Sequence, residues 1–367
     1  MGNPQMYGPG WQVRRILVET EARDLPVARR ILAAFPQAEV VETDRLSRMR
    51  WEESPPADLA VARHRGRFLK RCPGTRTYLC CGYYVLNVQV GCPLACTYCA
   101  LQGYWNAPAI TVYANLECAI DQLENELKRH PRRFYRIGTG ELSDSLFLDA
   151  TTGISQELVR FFARAPNAVL ELKTKLSDVD HLLDLEPRGR VILSWSLNAD
   201  PVARAEEKGA PSVEERLLAA RKAEEAGFRL GFHFDPLVHH AGWSESYRQV
   251  VEALFSYVRP SSIVWISLGA LRYPPSVDRI LRERHPFSRL RLAEMVRGLD
   301  GKLRYPRPLR TAMFRCVAEW IRRAASGVFI YLCMESEVVW RESLGWSPGS
   351  RRKLSELLDE RARLGME

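Results

Sequence analysis

The residues best suited to chemistry are three cysteines, Cys92, Cys96 and Cys99, which lie in the segment VGCPLACTYCALQ with the spacing CxxxCxxC. The chain has nine cysteines, and its first residues, MGNPQMYGPGWQVRR, lack the charged start and apolar block of a secretory signal. We therefore expect a cytoplasmic protein whose cysteines are ligands, catalysts or core residues rather than disulfide partners.

The number of these thiols favours an iron–sulfur cluster over zinc. A closed structural zinc site usually takes four ligands, as paired CxxC or Cys/His units. No second CxxC and no HxxxH occurs elsewhere in the chain, and the adjacent Cys80 and Cys81 fit no paired-ligand spacing. Three thiolates can instead hold a [4Fe-4S] cluster and leave one iron open to bind another molecule.

This cysteine loop, which follows the first strand of an alternating strand and helix pattern, resembles the signature of the radical S-adenosylmethionine (radical SAM) enzymes. The resemblance implies that the open iron chelates the amino and carboxylate groups of SAM. It implies that one electron cleaves SAM to a 5′-deoxyadenosyl radical. It also implies that Tyr98, the aromatic residue before the third cysteine, packs near the adenine.

Three further segments resemble the SAM contacts of that family. GTGE ends the second predicted strand and resembles a GGE motif, in which a carboxylate meets the SAM ammonium. Lys175 ends the third strand and could pair with the SAM carboxylate, whereas SWSLN ends the fourth strand, where the family places polar groups on the ribose hydroxyls. The expected cofactor-binding residues are therefore Tyr98, Gly138, Gly140, Glu141, Lys175, Ser196 and Asn198.

From about residue 12 to about residue 290, the chain more closely resembles the spore photoproduct lyase family, radical SAM enzymes that repair an ultraviolet-induced thymine dimer in spore DNA. The segments that carry this resemblance are CPLACTYCALQ, ITVYANLE, TKLSDVDHLLD, SWSLNAD and APSVEERLLAARKAEEAGFRLGFHFDPLVHHAGWSESYR. The resemblance implies that Lys175 and Ser196 contact SAM and that Ser143 lies near the substrate.

The substrate side departs from the family pattern. Glu141 stands where the family has the cysteine that returns a hydrogen atom to the product radical, and a carboxylate is a poor donor of hydrogen atoms. Ala100 replaces a tyrosine after the third cluster cysteine, and Arg297 and Leu299 only partly match a lesion-contacting Arg–Tyr pair. We therefore treat Glu141, Ser143 and a substitute thiol, Cys333, as the catalytic candidates.

Two explanations of these departures remain open. The chain could be a lyase that uses another thiol, for which Cys72, Cys118, Cys316 and Cys333 are available. It could instead be a paralogue with a small-molecule, peptide or RNA substrate. A third hypothesis, from a different functional class, is a non-catalytic iron–sulfur protein that binds nucleic acid.

The elements that must position these residues alternate between strand and helix. Apolar periodicity predicts six strands, at 83–90, 133–141, 168–175, 190–198, 229–238 and 261–271. Intervening helices imply parallel pairing with right-handed crossovers, and hence an α/β fold built on a partial, open (β/α)6 barrel. Chemistry is expected at the carboxyl ends of its strands.

We divide the chain into an N-terminal α/β unit with a basic linker at 1–81, the partial barrel at 82–275 and a C-terminal extension at 276–367. A helix at 178–186, between the third and fourth strands, is also predicted. Near the C-terminus, the segments LRTAMFRCVAEWIRRA and VFIYLCM predict one more helix and one more strand.

Composition limits the partners. The formal net charge is +9, which permits a polyanionic partner such as DNA or a nucleotide substrate. No apolar run is long enough to span a bilayer, so no membrane is expected. Radical SAM chemistry also requires an electron donor such as ferredoxin or flavodoxin, and we favour a monomer.

The ligand assignment predicts that Cys92→Ala, Cys96→Ala or Cys99→Ala each abolishes cluster binding and SAM cleavage together, because every thiolate holds its own iron. Iron and sulfide content and 5′-deoxyadenosine yield after anaerobic reconstitution measure the two losses. Cys118→Ala is the control. Full activity in any one of the three variants would refute the assignment.

Overall fold

The computed structural model describes residues 11–46, 58–104 and 109–366. Its strands, in chain order, are β1 (Arg15–Glu19), β2 (Glu39–Thr43), β3 (Leu59–Ala62), β4 (Leu69–Arg71), β5 (Tyr84–Leu86), β6 (Gln89–Val90), β7 (Ile110–Tyr113), β8 (Tyr135–Gly138), β9 (Ala168–Thr174), β10 (Val191–Ser196), β11 (Arg229–Leu237), β12 (Ile263–Ala270), β13 (Arg272–Tyr273), β14 (Val296–Arg297), β15 (Leu303–Arg304) and β16 (Ile330–Leu332).

The α-helices of these residues are α1 (Pro26–Ala34), α2 (Leu101–Tyr104), α3 (Leu116–Arg129), α4 (Asp149–Thr152), α5 (Ile154–Phe162), α6 (Asp200–Glu206), α7 (Val213–Glu225), α8 (Trp243–Tyr257), α9 (Pro275–Arg284), α10 (Arg307–Ala324), α11 (Glu337–Leu344) and α12 (Arg351–Arg363). Within the described ranges, no helix has the length and apolar character needed to cross a membrane.

The barrel is a curled sheet with the strand order β16-β12-β11-β10-β9-β8-β5-β4. All neighbours from β5 to β16 pair in parallel, and only the edge strand β4 is antiparallel. Strands β10 and β12 are buried along their whole length, as expected for parallel strands covered on both faces. This architecture confirms the predicted partial barrel, and β16 adds the strand expected from VFIYLCM.

The first predicted strand is divided between two sheets. Tyr84–Leu86 pairs with β8 in the barrel, whereas Gln89–Val90 pairs antiparallel with β7. Strand β6 is therefore an edge strand of a second sheet, which has the order β2-β1-β3-β7-β6. This sheet includes the strands of the predicted N-terminal unit. Both pieces are buried, so periodicity could not reveal the division. The chain thus leaves the barrel for the second sheet directly before Cys92.

The predicted helix at 178–186 is wrong. Only one 3₁₀ turn forms there, at Asp180–Leu182. Pro187 follows the segment and disfavours the helical conformation of the residue before it. The His181 ring lies 2.7 Å from Asp149 Oδ2, so tertiary contacts hold this short connection in place of a helix.

The segment between β4 and β5 joins the two edges of the curled sheet. The backbone N–H of Leu79 donates to the carbonyl of Glu335, just after β16, at 3.0 Å. Helix α12 holds this segment, since Arg351 Nε donates to Tyr78 O at 3.0 Å. The same helix contacts the barrel wall through the ion pair of Arg136 Nε with Asp359 Oδ1 at 2.6 Å.

We expect Asp359→Ala to lower the free energy of unfolding by about 3 kcal/mol, because it leaves the buried Arg136 guanidinium without its carboxylate. Urea denaturation followed by circular dichroism measures the change. The matched control is Glu356→Ala on the same helix, whose pair with Arg352 is exposed, and little change is expected there. Equal stability of the two variants would contradict a structural role for the Arg136–Asp359 pair.

Candidate active site

The cysteine loop starts at the end of β6 and is fastened at its base to the segment after β8. The N–H of Gly91 donates to Leu142 O at 2.8 Å, and Ser143 Oγ donates to Gly91 O at 2.7 Å. Ser143, predicted to lie near the substrate, is buried and holds this base. Its contact with substrate stays a prediction.

The middle of the cysteine loop is bound by the segment that follows β10, on the opposite side of the open end of the barrel. The N–H of Thr97 donates to Glu206 O at 2.9 Å, and Gly209 N–H donates to Leu94 O at 3.0 Å. The Thr97 hydroxyl also donates to the Glu206 carboxylate. The loop is therefore clamped between two barrel connections, which fixes the backbone that carries the thiols.

A buried polar network centres on Glu207. Its carboxylate accepts hydrogen bonds from the Tyr98 hydroxyl and from Arg216 Nη2, the latter at 2.5 Å. The side chains of Glu207 and Arg216 are 1% and 0% exposed. Burial opposes ionisation of Glu207, but the charges of Arg216 and Lys175 outweigh it and lower its pKa. Tyr98 is thus held in one orientation beside Cys99.

Asn198 and Ser196, the predicted ribose contacts, lie beside this network. Asn198 Oδ1 accepts from the Tyr247 hydroxyl at 2.5 Å, and Asn198 Nδ2 donates to Glu207 at 3.4 Å. The amide nitrogen of Asn198 has a second N–H, so a bond to ribose stays a prediction. Ser196 O accepts from Arg216 Nη1 at 2.9 Å, and its hydroxyl contact with ribose stays a prediction.

The three loop thiols share one electrostatic environment. Burial raises the pKa of each, that of Cys96 to about 12, and each is affected by the charge of at least one of the others or of Lys175. Lys175 Nζ lies 5.8 Å from the centre of the Tyr98 ring, and its charge favours the thiolate forms of Cys96 and Cys99.

This donor set fits an iron–sulfur cluster. Thiolates are the usual cluster ligands, a bound metal cation deprotonates such thiols, and the Lys175 ammonium offsets part of the resulting negative charge. Within the described ranges, no three His, Cys, Asp or Glu side chains are arranged to hold a single metal ion. That arrangement does not exclude a cluster, because each thiolate of a cluster binds a different iron atom.

Glu141 forms an ion pair rather than standing free. Lys173 Nζ lies 2.7 Å from Glu141 Oε1. Burial opposes the charge on Lys173, but Glu141 outweighs it and raises the pKa of the lysine. A SAM ammonium at Glu141, as the GTGE motif predicts, would have to share the carboxylate with Lys173.

The two glycines of GTGE are explained by packing. A Cβ on Gly138 would lie 1.5 Å from the Tyr83 hydroxyl oxygen, and one on Gly140 would lie 2.8 Å from Lys173 O. Each glycine therefore lets a neighbouring strand or side chain approach closely. A role of either in SAM binding stays a prediction.

Glu171 is a buried carboxylate that was not predicted as a site residue. It lies below the Glu141–Lys173 pair. Glu171 Oε1 is 2.6 Å from Ser194 Oγ, 2.9 Å from His233 Nε2 and 3.0 Å from Trp265 Nε1. Burial opposes its ionisation, yet the His233 charge and these hydrogen bonds lower its pKa to about 2. The signal was present in ELKTK, because residues 171, 173 and 175 alternate onto one face of the predicted strand 168–175.

Cys333 lies just beyond β16, at the same end of the barrel. Arg272 Nη2 lies 3.4 Å from its Sγ, and the same guanidinium pairs with Asp235 at 2.9 and 3.0 Å. The Asp235–Arg272 pair was not predicted, because Arg272 lies beyond the last predicted strand. The role of Cys333 as hydrogen donor stays a prediction.

Comparison with known proteins supports the family resemblance. A family model described as spore photoproduct lyase matches residues 12–307. The spore photoproduct lyase of Bacillus subtilis (strain 168) is 31% identical over 215 residues, which span 58% of this chain and 63% of that protein. The match thus spans less than two thirds of that relative. The enzyme of Geobacillus sp. (strain Y412MC61) is 27% identical over 293 residues, 77% of this chain and 85% of its own.

Solved structures agree with the fold. A spore photoproduct lyase point mutant is 25% identical, with a TM-score of 0.78 over 88% of this chain and 99% of that one. A double mutant with bound AdoMet and dinucleoside spore photoproduct is 24% identical, also with a TM-score of 0.78, over 88% of this chain and 100% of that one. The partial barrel is therefore shared along nearly the whole length of both proteins.

We expect Glu207→Gln to lower the free energy of unfolding by about 3 kcal/mol, because the Arg216 guanidinium would stay buried without an anion. Loss of the clamp on Tyr98 should also reduce the iron retained after reconstitution. The control is Glu245→Gln, which removes the charge from an exposed Glu–Arg pair on α8. Unchanged stability and iron content in Glu207→Gln would show that the network does not hold the loop.

Proposed function

Because the chain belongs to the spore photoproduct lyase family, we propose that it is a radical SAM lyase that repairs the spore photoproduct, a thymine dimer in DNA. The observation that carries this proposal is the clamped cysteine loop at the carboxyl ends of parallel strands, with Lys175 beside its thiols. Catalytic groups of barrel enzymes lie at that end. The curated relatives that match the chain carry the name spore photoproduct lyase.

Cys92, Cys96 and Cys99 would hold the [4Fe-4S] cluster. When bound, the cluster supplies one electron to SAM, which yields the 5′-deoxyadenosyl radical. The chain's own residues position the cofactor: Lys175 offers an ammonium for the SAM carboxylate, and Tyr98 offers an aromatic face fixed by Glu207. Within the described ranges, no carboxylate lies within 4.0 Å of Lys175 Nζ, so this charge is available to a ligand.

The partners follow from this chemistry. The net charge of +9 favours DNA or a nucleotide substrate over a neutral one, because phosphates are neutralised by basic side chains. A reduced ferredoxin or flavodoxin would supply the electron. We further propose a monomer that works in the cytoplasm.

A second candidate function is a family member with a different substrate. One observation favours it: the ion pair of Glu141 and Lys173 occupies the position at which a hydrogen-donating thiol is expected. A fixed pair of opposite charges would suit a polar substrate group as well as a thymine dimer.

The test is an anaerobic assay of the reconstituted protein with SAM and dithionite, in which 5′-deoxyadenosine is measured with and without synthetic dinucleoside spore photoproduct. Restored thymidylyl-thymidine is the expected result. Deoxyadenosine without repair would favour the second candidate. No deoxyadenosine from an intact, reduced cluster would overturn both and favour a binding protein.

A further inference from the structure

Four cysteines outside the cluster loop lie near the segment that joins the edges of the barrel. Cys72 follows β4, Cys80 and Cys81 follow the Leu79 bridge, and Cys333 follows β16. All four are half-buried, and Cys81 also packs against the hydrophobic core. Their thiols affect one another's ionisation, which places them in one neighbourhood. None of these four cysteines has a role in the proposed function.

Cys72 lies on the inner face of the barrel. Its N–H donates to Tyr83 O at 2.9 Å, which extends the antiparallel pairing of β4 and β5 by one residue. Residues opposite one another in such a pair share a face of the sheet. The Tyr83 hydroxyl reaches the backbone of Gly138, inside the barrel, so the Cys72 side chain points to the same interior.

On this inner face, Cys72 is near the Glu141–Lys173 ion pair. Glu141 stands at the position where the family has its hydrogen-donating cysteine. Burial raises the pKa of Cys72, and the charge of Glu141 raises it further, while Lys173 acts against them. The charges of Glu141 and Lys173 thus both reach the Cys72 thiol. Cys72 lies opposite Tyr83, whose hydroxyl lies against Gly138, three residues before Glu141. Cys333 lies instead next to Arg272 and Asp235, whose charges have the largest effects on it after burial.

The four thiols differ in whether they carry a hydrogen atom at neutral pH. The pKa of Cys72 is raised to about 12, so Cys72 keeps its S–H. A hydrogen bond with Cys81 lowers the pKa of Cys80, which favours a thiolate with no hydrogen atom to give. Cys72 thus combines a retained S–H with a place beside Glu141.

We propose that Cys72 donates the hydrogen atom to the carbon-centred product radical, in the place of a thiol at position 141. The S–H bond of Cys72 breaks, a C–H bond forms on the product, and a thiyl radical remains on Cys72. That radical regains a hydrogen atom from the methyl group of 5′-deoxyadenosine. The deoxyadenosyl radical formed in this transfer would recombine with methionine to restore SAM and return one electron to the cluster, so no net oxidation occurs. This inference deepens the proposed function and rests on it.

The test compares the parent chain with Cys72→Ala, reconstituted anaerobically and assayed in D₂O with SAM, dithionite and dinucleoside spore photoproduct. A thiol exchanges its hydrogen with solvent, so the parent should place one solvent deuterium in each repaired product. In Cys72→Ala we expect deoxyadenosine still to form, the yield of repaired dinucleotide to fall roughly tenfold or more, and the solvent deuterium to disappear from it.

Two variants keep this test specific. Cys118→Ala removes a thiol on α3, away from the joining segment, and should match the parent in yield and deuterium content. Glu141→Cys in the Cys72→Ala background returns a thiol to position 141 and should restore solvent deuterium in the dinucleotide that is repaired. Rescue by this second change would show that Cys72→Ala lacks a hydrogen donor and does not merely fold poorly.

A readout without catalysis tests the placement itself. In the unreduced protein, saturating dinucleoside spore photoproduct should slow alkylation of Cys72 by N-ethylmaleimide, measured by peptide mass spectrometry, and leave Cys118 unaffected. Equal alkylation of Cys72 with and without the dinucleoside would overturn its place beside the substrate.

The outcomes separate the inference from the proposed function. Full repair with solvent deuterium in Cys72→Ala would overturn the role of Cys72. The same loss in Cys333→Ala, with Cys72→Ala unaffected, would also overturn it and would assign the donor to Cys333. Failure of the parent chain to repair the dinucleoside would overturn the proposed function, and the inference would fall with it.

Discussion

The buried ion pair between Glu207 and Arg216 is the interaction on which the site depends. Both side chains are removed from water, so each charge is tolerated only because the other is present. The pair connects α7 to the turn after α6, and through Tyr98 it also holds the cysteine loop. The loop also packs into the core through Leu94, Cys96 and Tyr98, so the ion pair adds a polar anchor to a segment that apolar contacts already hold.

The interior of the barrel follows the same rule of paired charges. Strand β9 places Glu171 and Lys173 on one face, and Lys175 follows directly after the strand's carboxyl end. Glu171 has three hydrogen-bond partners, Ser194, His233 and Trp265. Lys173 is paired with Glu141. Lys175 lies in the field of Glu207 and Asp144 without a carboxylate within 4.0 Å among the described residues. A carboxylate at position 141 is therefore coupled to Lys173.

The divided first strand links the two sheets to this chemistry. The chain leaves the barrel after β5 and pairs with β7 through β6. It therefore crosses the open end of the barrel just before Cys92. The joining segment of Cys72 to Tyr83 closes the other side of the same mouth. Both features depend on contacts between residues far apart in the chain, which explains why local periodicity shows neither.

The sequence by itself determined the family, the parallel barrel, the extra helix and strand near the C-terminus, and the candidate cluster ligands. The barrel, the helix and the strand follow from apolar periodicity, and the candidate ligands follow from the spacing of three cysteines. The family follows from the resemblance of several segments to its known members. All of these are local properties of the chain. Tertiary structure alone decided that residues 178–186 form a single turn, that Asn198 is bonded within the Glu207 network, and that Glu141 is paired with Lys173. It also brought the Cys72 thiol within the electrostatic reach of Glu141, although the two are far apart in the sequence. The physical reason is that the energy of a buried charge or thiol depends on the partners around it, and those partners come from other strands.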